Sequence, residues 1–80
     1  MKKLKVIVVD PVHPNLIISL KKKFLLVKYV PGISYNELSK IIKNFHVIIL
    51  RSGLKLDKFL IKKANLLKVI ARAGVGLDNI

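Results

Sequence analysis

Two stretches of the sequence share one pattern, in which an apolar run leads to an arginine with a glycine two residues later. The first is Val47-Ile48-Ile49-Leu50-Arg51-Ser52-Gly53, and the second is Leu66-Leu67-Lys68-Val69-Ile70-Ala71-Arg72-Ala73-Gly74. Short aliphatic runs of this kind are typical of strands buried on both faces of a parallel sheet. We therefore expect two strands of one sheet, each followed by an Arg-Gly loop.

Outward from these two stretches, strands alternate with helices along the whole chain. Strands are predicted at residues 4–9, 25–30, 46–50 and 66–70. Three apolar stripes at helical spacing lie between them: Leu16, Ile17, Leu20 and Phe24; Leu38, Ile41, Ile42 and Phe45; Leu60, Ile61, Ala64 and Leu67. This order predicts an α/β fold with a parallel sheet of about four strands and right-handed crossovers.

Local signals mark where the helices begin. Pro14 suits the first position of a helix, because its fixed φ is already helical. Ser34 and Glu37 form a capping box, in which each side chain satisfies a backbone N–H that the helix leaves free. Asp57 is predicted to cap the third helix.

Three charged residues follow predicted strands, namely Asp10, Arg51 and Arg72. In a parallel sheet the loops after the strands emerge at one side, and ligands bind there. The chain has 16 lysine and arginine residues, and Arg51 and Arg72 are the two arginines. A guanidinium group can hold a carboxylate or phosphate with two parallel hydrogen bonds, which lysine cannot do. The alternative is that both arginines only fasten their loops by bonding to backbone carbonyls.

Composition limits the class of protein. Eighty residues allow one domain, and a 52% apolar share with 6% aromatic residues predicts an aliphatic core. Cysteine is absent, which excludes disulfides and thiolate zinc sites. No apolar run approaches the ~18 residues of a membrane helix, so we expect a soluble, cytoplasmic protein. The net charge of +12 has two explanations: solvated lysine-rich helices, or a small basic module that binds nucleic acid.

Other site chemistries find little support in the sequence. His13 and His46 are too few and too far apart for a metal site, and we expect a loop or N-cap residue and a core or edge residue, respectively. A signalling receiver domain needs an acidic pair after the first strand and an aspartate after the third, where this chain has only Asp10 and then Arg51.

The residues from Arg51-Ser52-Gly53 to Leu67-Lys68-Val69-Ile70-Ala71-Arg72-Ala73-Gly74-Val75-Gly76-Leu77-Asp78-Asn79-Ile80 resemble the NAD-dependent D-isomer-specific 2-hydroxyacid dehydrogenases, in particular the D-3-phosphoglycerate dehydrogenase branch. The opening Lys5-Val6-Ile7-Val8-Val9-Asp10-Pro11-Val12-His13 is also similar to the first strand and loop of that family. Ala71 and Leu77 depart from it, since the family usually has glycine and valine there.

The resemblance implies a flavodoxin-like, three-layer substrate domain, of which residues 1–80 would be the N-terminal portion. It implies that Arg51, Ser52 and Gly53 line the substrate pocket, that Arg72, Ala73 and Gly74 meet the carboxylate or phosphate of the substrate, and that Val75 touches the nicotinamide end of NAD. The expected substrate is a small anionic D-2-hydroxy acid, with 3-phosphoglycerate of serine biosynthesis preferred.

The family's remaining parts have no counterpart in these 80 residues. Gly74-x-Gly76-x-x-Asn79 lacks the third glycine of the dinucleotide fingerprint, and no catalytic residue of the family falls within the chain. We therefore expect the Rossmann cofactor domain to be absent, the fold to be incomplete and the isolated chain to be inactive. A last strand without a covering crossover predicts a homo-oligomer or dependence on a partner chain.

Overall fold

Four strands and three helices alternate along the part of the chain that the computed structural model describes, residues 3–51 and 56–72. The strands are β1 (Lys5–Val8), β2 (Leu26–Tyr29), β3 (Val47–Leu50) and β4 (Val69–Arg72). The helices are α1 (Pro14–Lys23), α2 (Tyr35–Ile41) and α3 (Lys58–Lys63), and a 3-10 turn at Ile42–Asn44 continues α2.

The strands form one parallel sheet in the order β2-β1-β3-β4. Val6 on β1 pairs with Val27 on one side and with Val47 on the other, so β1 lies inside the sheet although it comes first in the chain. This is the order of the first four strands of a flavodoxin-like fold. The predicted α/β fold with a four-stranded parallel sheet is confirmed.

The handedness of the crossovers decides which face each helix covers. The chain moves from β1 outward to β2, then returns past β1 to β3 and continues to β4. Right-handed connections therefore put α1 on one face and both α2 and α3 on the other. Leu16 and Leu20 of α1 pack on Val8, whereas Leu38 and Leu60 pack on the opposite side of the sheet.

Each helix begins as the sequence predicts. The His13 ring caps α1 by accepting the Asn15 N–H at Nδ1, 3.0 Å away, and Pro14 takes the first helical position. The Ser34 hydroxyl accepts the Glu37 N–H at 3.1 Å, which is the serine half of the predicted capping box at α2. The Glu37 carboxylate accepts the Ser34 hydroxyl at 3.2 Å, where the predicted box has it accept the Ser34 backbone N–H.

The cap of α3 also links it to α2. The Asp57 carboxylate accepts the N–H of Leu60 at 2.9 Å and the hydroxyl of Tyr35, whose oxygen lies 2.7 Å from Oδ1 and 2.9 Å from Oδ2. The Leu60 N–H and then the Tyr35 hydroxyl lower the pKa of Asp57 below its ordinary value. The same hydrogen bond raises the pKa of Tyr35, because its proton is held by the carboxylate.

Two predicted boundaries of the fourth strand and one predicted core residue are wrong. The fourth strand begins at Val69 rather than Leu66, because α3 ends at Lys63 and a turn follows it, which leaves Leu66 47% exposed. Arg72 is consequently the last residue of β4 rather than a loop residue. Ile61 is 43% exposed and does not belong to the buried stripe of α3, since the helix rests on the sheet through Leu60 and Ala64.

Candidate anion site at the strand ends

The carboxyl-terminal ends of β1, β3 and β4 lie side by side, and we call this region the strand-end rim. Asp10 and Arg51 occupy the rim between β1 and β3. From this point the chain leaves β1 toward α1 on one face and leaves β3 toward α3 on the other face. Such a reversal of direction opens a crevice at the end of the sheet, where α/β proteins bind ligands.

A buried carboxylate bridges the crevice. Asp10 is 8% exposed, and it is the one charged or polar side chain in the buried core among the described residues. Its Oδ2 accepts the backbone N–H of Arg51 at 2.7 Å. A hydrogen bond to an ionised acceptor at this distance is among the strong ones in proteins, so the first residue after β3 is fixed relative to the first residues after β1.

The side chain of Arg51 reaches back across the end of β1. Its Nη1 donates to the carbonyl oxygen of Pro11 over 3.4 Å, a long hydrogen bond, and Arg51 as a residue is exposed. The neighbouring Val12 N–H donates to the Tyr29 hydroxyl at 3.4 Å. The loop after β1 is thus held from both sides. Part of Arg51's role is therefore the fastening of a loop, which was the alternative to anion binding.

Arg72 lies beside Arg51 on the next strand. Its Cα pairs with that of Leu50, so Arg51 is one residue further along β3. With strands ~4.8 Å apart and residues ~3.3 Å apart along a strand, the two Cα atoms are separated by about 6 Å. The expectation that two arginines far apart in sequence meet at one end of the sheet is thus met by the backbone.

The two arginines start from opposite faces of the sheet. Leu50 belongs to the core under α2 and α3, and Ala71 packs against the core under α1. Because side chains alternate along a strand, Arg72 projects on the side of α2 and α3, and Arg51 follows on the side of α1. An anion held by both guanidinium groups would therefore sit across the end of the sheet rather than on one face.

The remaining predicted site residues are Ser52, Gly53, Ala73, Gly74 and Val75, and all of them lie outside the described residues. Sequence reasoning missed Tyr29 and gave no role to the Asp10 carboxylate. The signal for Asp10 was its position directly after the apolar run of β1. No comparable signal marks Tyr29, whose contact with Val12 depends on the β1–β2 register.

The histidines take the structural places that we expected. His13 caps α1, and the ring of the half-buried His46 accepts the Lys5 N–H at 3.0 Å through Nδ1. In residues 3–51 and 56–72, no group of three or more His, Cys, Asp or Glu residues is placed to hold a metal ion. No helix among these residues is long and apolar enough to cross a membrane.

Comparison with known proteins identifies the family. The sequence matches the family described as "D-isomer specific 2-hydroxyacid dehydrogenase, catalytic domain" over residues 6–80. The chain therefore belongs to the D-isomer-specific 2-hydroxyacid dehydrogenase family.

Among individual relatives, D-3-phosphoglycerate dehydrogenase of Methanocaldococcus jannaschii is 42% identical over 76 residues, which cover 95% of this chain and 14% of that protein. The enzyme of the same name from Archaeoglobus fulgidus is 39% identical over 77 residues, or 15% of its length. Hydroxypyruvate reductase of Thermotoga maritima is 49% identical over 45 residues, 56% of this chain and 15% of that protein. The chain thus spans about a seventh of the relatives it matches.

Solved structures support the fold. A protein from Pyrococcus horikoshii superimposes with a TM-score of 0.82 at 28% identity, covering 88% of this chain and 21% of that one. A 2-hydroxyacid dehydrogenase from Ketogulonicigenium vulgare matches over the whole chain with a TM-score of 0.64 at 23% identity, and covers 26% of that chain. The second likeness concerns the fold alone.

Proposed function

We propose that this chain is the N-terminal, substrate-binding portion of an NAD-dependent dehydrogenase of D-2-hydroxy acids, with 3-phosphoglycerate as the preferred substrate. The observation that carries the proposal is the β3–β4 register, which brings Arg51 and Arg72 together at the strand-end rim. Membership of the dehydrogenase family supports it. In the complete enzyme the rim would hold the negatively charged group of the substrate. The enzyme would act in the cytoplasm, where it would catalyse a step of serine biosynthesis.

The electrostatics of the rim suit a small anion. Arg51 and Arg72 are both exposed, so their guanidinium groups can reach a ligand from solvent. The buried Asp10 carboxylate accepts the Arg51 N–H, so its negative charge is directed at that backbone rather than at solvent. Arg51 and Arg72 would orient one carboxylate or phosphate across the end of the sheet. Ser52, Gly53, Ala73 and Gly74 complete the proposed pocket.

NAD binding requires parts beyond those described. A dinucleotide site needs a Gly-rich turn between a strand and a helix N-terminus. Gly32 is the one glycine among the described residues, and it forms the turn before α2 at φ +81° without companion glycines. The described residues therefore do not fit NAD by themselves. We propose that a Rossmann domain binds it, with Val75 of this chain touching the nicotinamide end.

Exposed apolar residues of α3, β4 and the turn between them support the proposed need for a further domain or a partner chain. Five large apolar residues of α3, β4 and the turn between them are 43–59% exposed: Phe59, Ile61, Leu66, Val69 and Ile70. A strand whose outer edge and side chains are open to water favours association. We propose that a further domain, a partner chain or a second copy covers these residues, which we call the α3–β4 surface.

Isothermal titration calorimetry with 3-phosphoglycerate tests the anion site on the 80-residue chain itself. We expect weak binding, and we expect Arg51→Lys and Arg72→Lys each to reduce the affinity severalfold. Lysine keeps the positive charge but cannot form the bidentate hydrogen bonds of a guanidinium group. Lys22→Ala on α1 is the control and leaves binding unchanged. Equal binding by wild type and both arginine variants would remove the basis of the proposal. A dehydrogenase assay should show no turnover above background.

The second candidate, a nucleic-acid-binding module, is favoured by the net charge of +12. The fold spreads that charge, since lysines at the end of α1 lie on one face and those at the end of α3 on the other. Filter binding to duplex DNA at two salt concentrations discriminates the candidates. Micromolar affinity with a steep salt dependence would favour this second function.

A further inference from the structure

A groove runs along β2 on the face that carries α2, away from the α3–β4 surface. It consists of two adjoining cavities of about 300 and 440 Å³, which share Lys28 and Ile41 as lining residues. Lys5 and Leu26, the first residues of β1 and β2, line one end. Val30 and Ile33, which follow β2, line the other. We call it the β2–α2 groove.

The path of the chain explains why this groove is open. The crossover from β2 to β3 passes over β1, so Leu38 and Ile42 of that crossover pack on the central strands. The outer strand β2 is left uncovered on this face, and Leu26 is 46% exposed. Ile41 and Val30 are partly buried against the core and form an apolar inner wall. Leu26, Ile41 and Val30 therefore give the groove apolar walls, and Lys28 lies between Leu26 and Val30 along β2.

Charge is distributed unequally along the groove. At the end near Lys5, the polar lining residues are Lys5, Lys28 and Asn44, and no acidic residue is among them. At the other end, Glu37 lies beside Lys28 and Lys40. Within residues 3–51 and 56–72, no ion pair engages Lys5 or Lys28. The Lys5 end thus attracts a negative group, and the middle of the groove offers it an apolar continuation.

We infer that the β2–α2 groove binds a small amphipathic anion, namely a carboxylate carrying an unbranched hydrocarbon chain. The carboxylate lies between Lys5, Lys28 and Asn44, and the chain extends over Leu26 and Ile41 toward Val30. A basic protein segment is a poor occupant of the Lys5 end, because it would place like charges against Lys5 and Lys28. A short, wholly polar anion leaves the apolar walls uncovered.

This site is separate from the strand-end rim. Lys5 and Leu26 begin their strands, whereas Arg51 and Arg72 lie where β3 and β4 end. The Lys5 end of the groove, where the carboxylate is placed, therefore lies at the opposite end of the strands from the rim. The inference does not depend on the proposed dehydrogenase function. An occupant of the groove touches β1, β2 and α2 without blocking the rim.

Binding is tested with decanoate, below its micelle concentration, by titration of the ¹⁵N-labelled 80-residue chain followed by NMR. We expect the largest amide shifts at Leu26, Ile41 and Asn44. Butanoate has the same head and a short chain, and it should bind at least tenfold more weakly. Decyltrimethylammonium has a similar chain and a positive head, and should shift these amides little.

Two charge-reversal variants distinguish binding in the groove from non-specific attraction of an anion to a basic protein. Lys28→Glu should weaken decanoate binding at least fivefold, since it replaces attraction by repulsion at the head group. Lys22→Glu on α1 makes the same change of net charge on the other face and should weaken it less than twofold. Lys28 is exposed, so we expect its variant to keep the wild-type amide spectrum elsewhere.

Several outcomes would overturn the inference. Equal losses in both variants would assign binding to net charge alone. Shifts concentrated at Phe59, Val69 and Ile70 would assign the hydrocarbon chain to the α3–β4 surface. Similar affinity for butanoate or for the cationic detergent would contradict the combination of an anionic head with an apolar chain.

Discussion

Removal of the Asp10 carboxylate is the most direct test of how the rim is held together. Asp10→Ala leaves the Arg51 N–H without its acceptor, 2.7 Å away in the wild type, in a place where water has little access. Leaving such a donor unsatisfied costs about 1–3 kcal/mol. Against a total stability of about 4–12 kcal/mol for a chain of this length, that loss is large.

Asp10→Asn is the matched comparison, because both variants remove one negative charge. The asparagine carbonyl can still accept the Arg51 N–H, as a neutral acceptor with roughly half the strength of a carboxylate. We expect Asp10→Asn to lower the free energy of unfolding by about 1 kcal/mol and Asp10→Ala by about 1 kcal/mol more. Urea unfolding followed by circular dichroism measures both.

Hydrogen exchange at the Arg51 amide adds a local readout. In Asp10→Ala this amide should exchange much faster than in Asp10→Asn. The exchange rates of the β1 and β3 amides should change only as far as the global stability changes. Equal stabilities for the two variants would show that the charge of Asp10, and not its hydrogen bond, fixes the rim. No destabilisation by either variant would refute the bridge altogether.

Four further predictions concern the body of the fold. Leu60→Ala, at a fully buried site, should cost about 2–5 kcal/mol in urea unfolding, whereas Phe59→Ala, at a 59% exposed site, should cost far less. Folding lowers the pKa of Asp57, so its stabilising contribution is complete above the ordinary value of 3.8 and is lost as the pH falls through the lower folded value. Folding raises the pKa of Tyr35 above 10.0, so that its contribution is lost as the pH rises through the folded value; Tyr35→Phe should abolish this alkaline dependence in pH-dependent melting curves. Ile70→Lys should leave stability nearly unchanged but reduce self-association in sedimentation velocity, and an unaltered sedimentation coefficient would count against association through the α3–β4 surface.

The sequence predicted the fold well where local chemistry and global packing agree. Ser34 with Glu37, and Asp57 before Leu60, are capping residues whose effect needs no tertiary contact. The apolar run of β3 shows a strand buried on both faces, and Val47 to Leu50 are indeed all buried. These features follow from residue type and spacing alone.

The errors fall where tertiary structure overrides pattern. Leu66 and Leu67 continue the apolar run of the fourth strand in sequence, yet the Ala64 carbonyl accepts the Leu67 N–H in a turn and delays the strand to Val69. Opposite starting faces for Arg51 and Arg72 depend on pairing register, which a single sequence does not specify. The link between Tyr29 and Val12 arises in the same way.

The central position of the first strand shapes how the protein is assembled. β1 acquires β2 as a neighbour after about twenty residues, but its other partner, β3, begins only at Val47. During synthesis at ~5–20 residues per second, one side of Val6–Val8 stays unpaired for several seconds after it is made. Closing so long a loop also slows folding, since its entropy is lost before the distant contact forms. A nascent chain of this protein is therefore most exposed to chaperones, or to aggregation, in the interval before residue 50 leaves the ribosome.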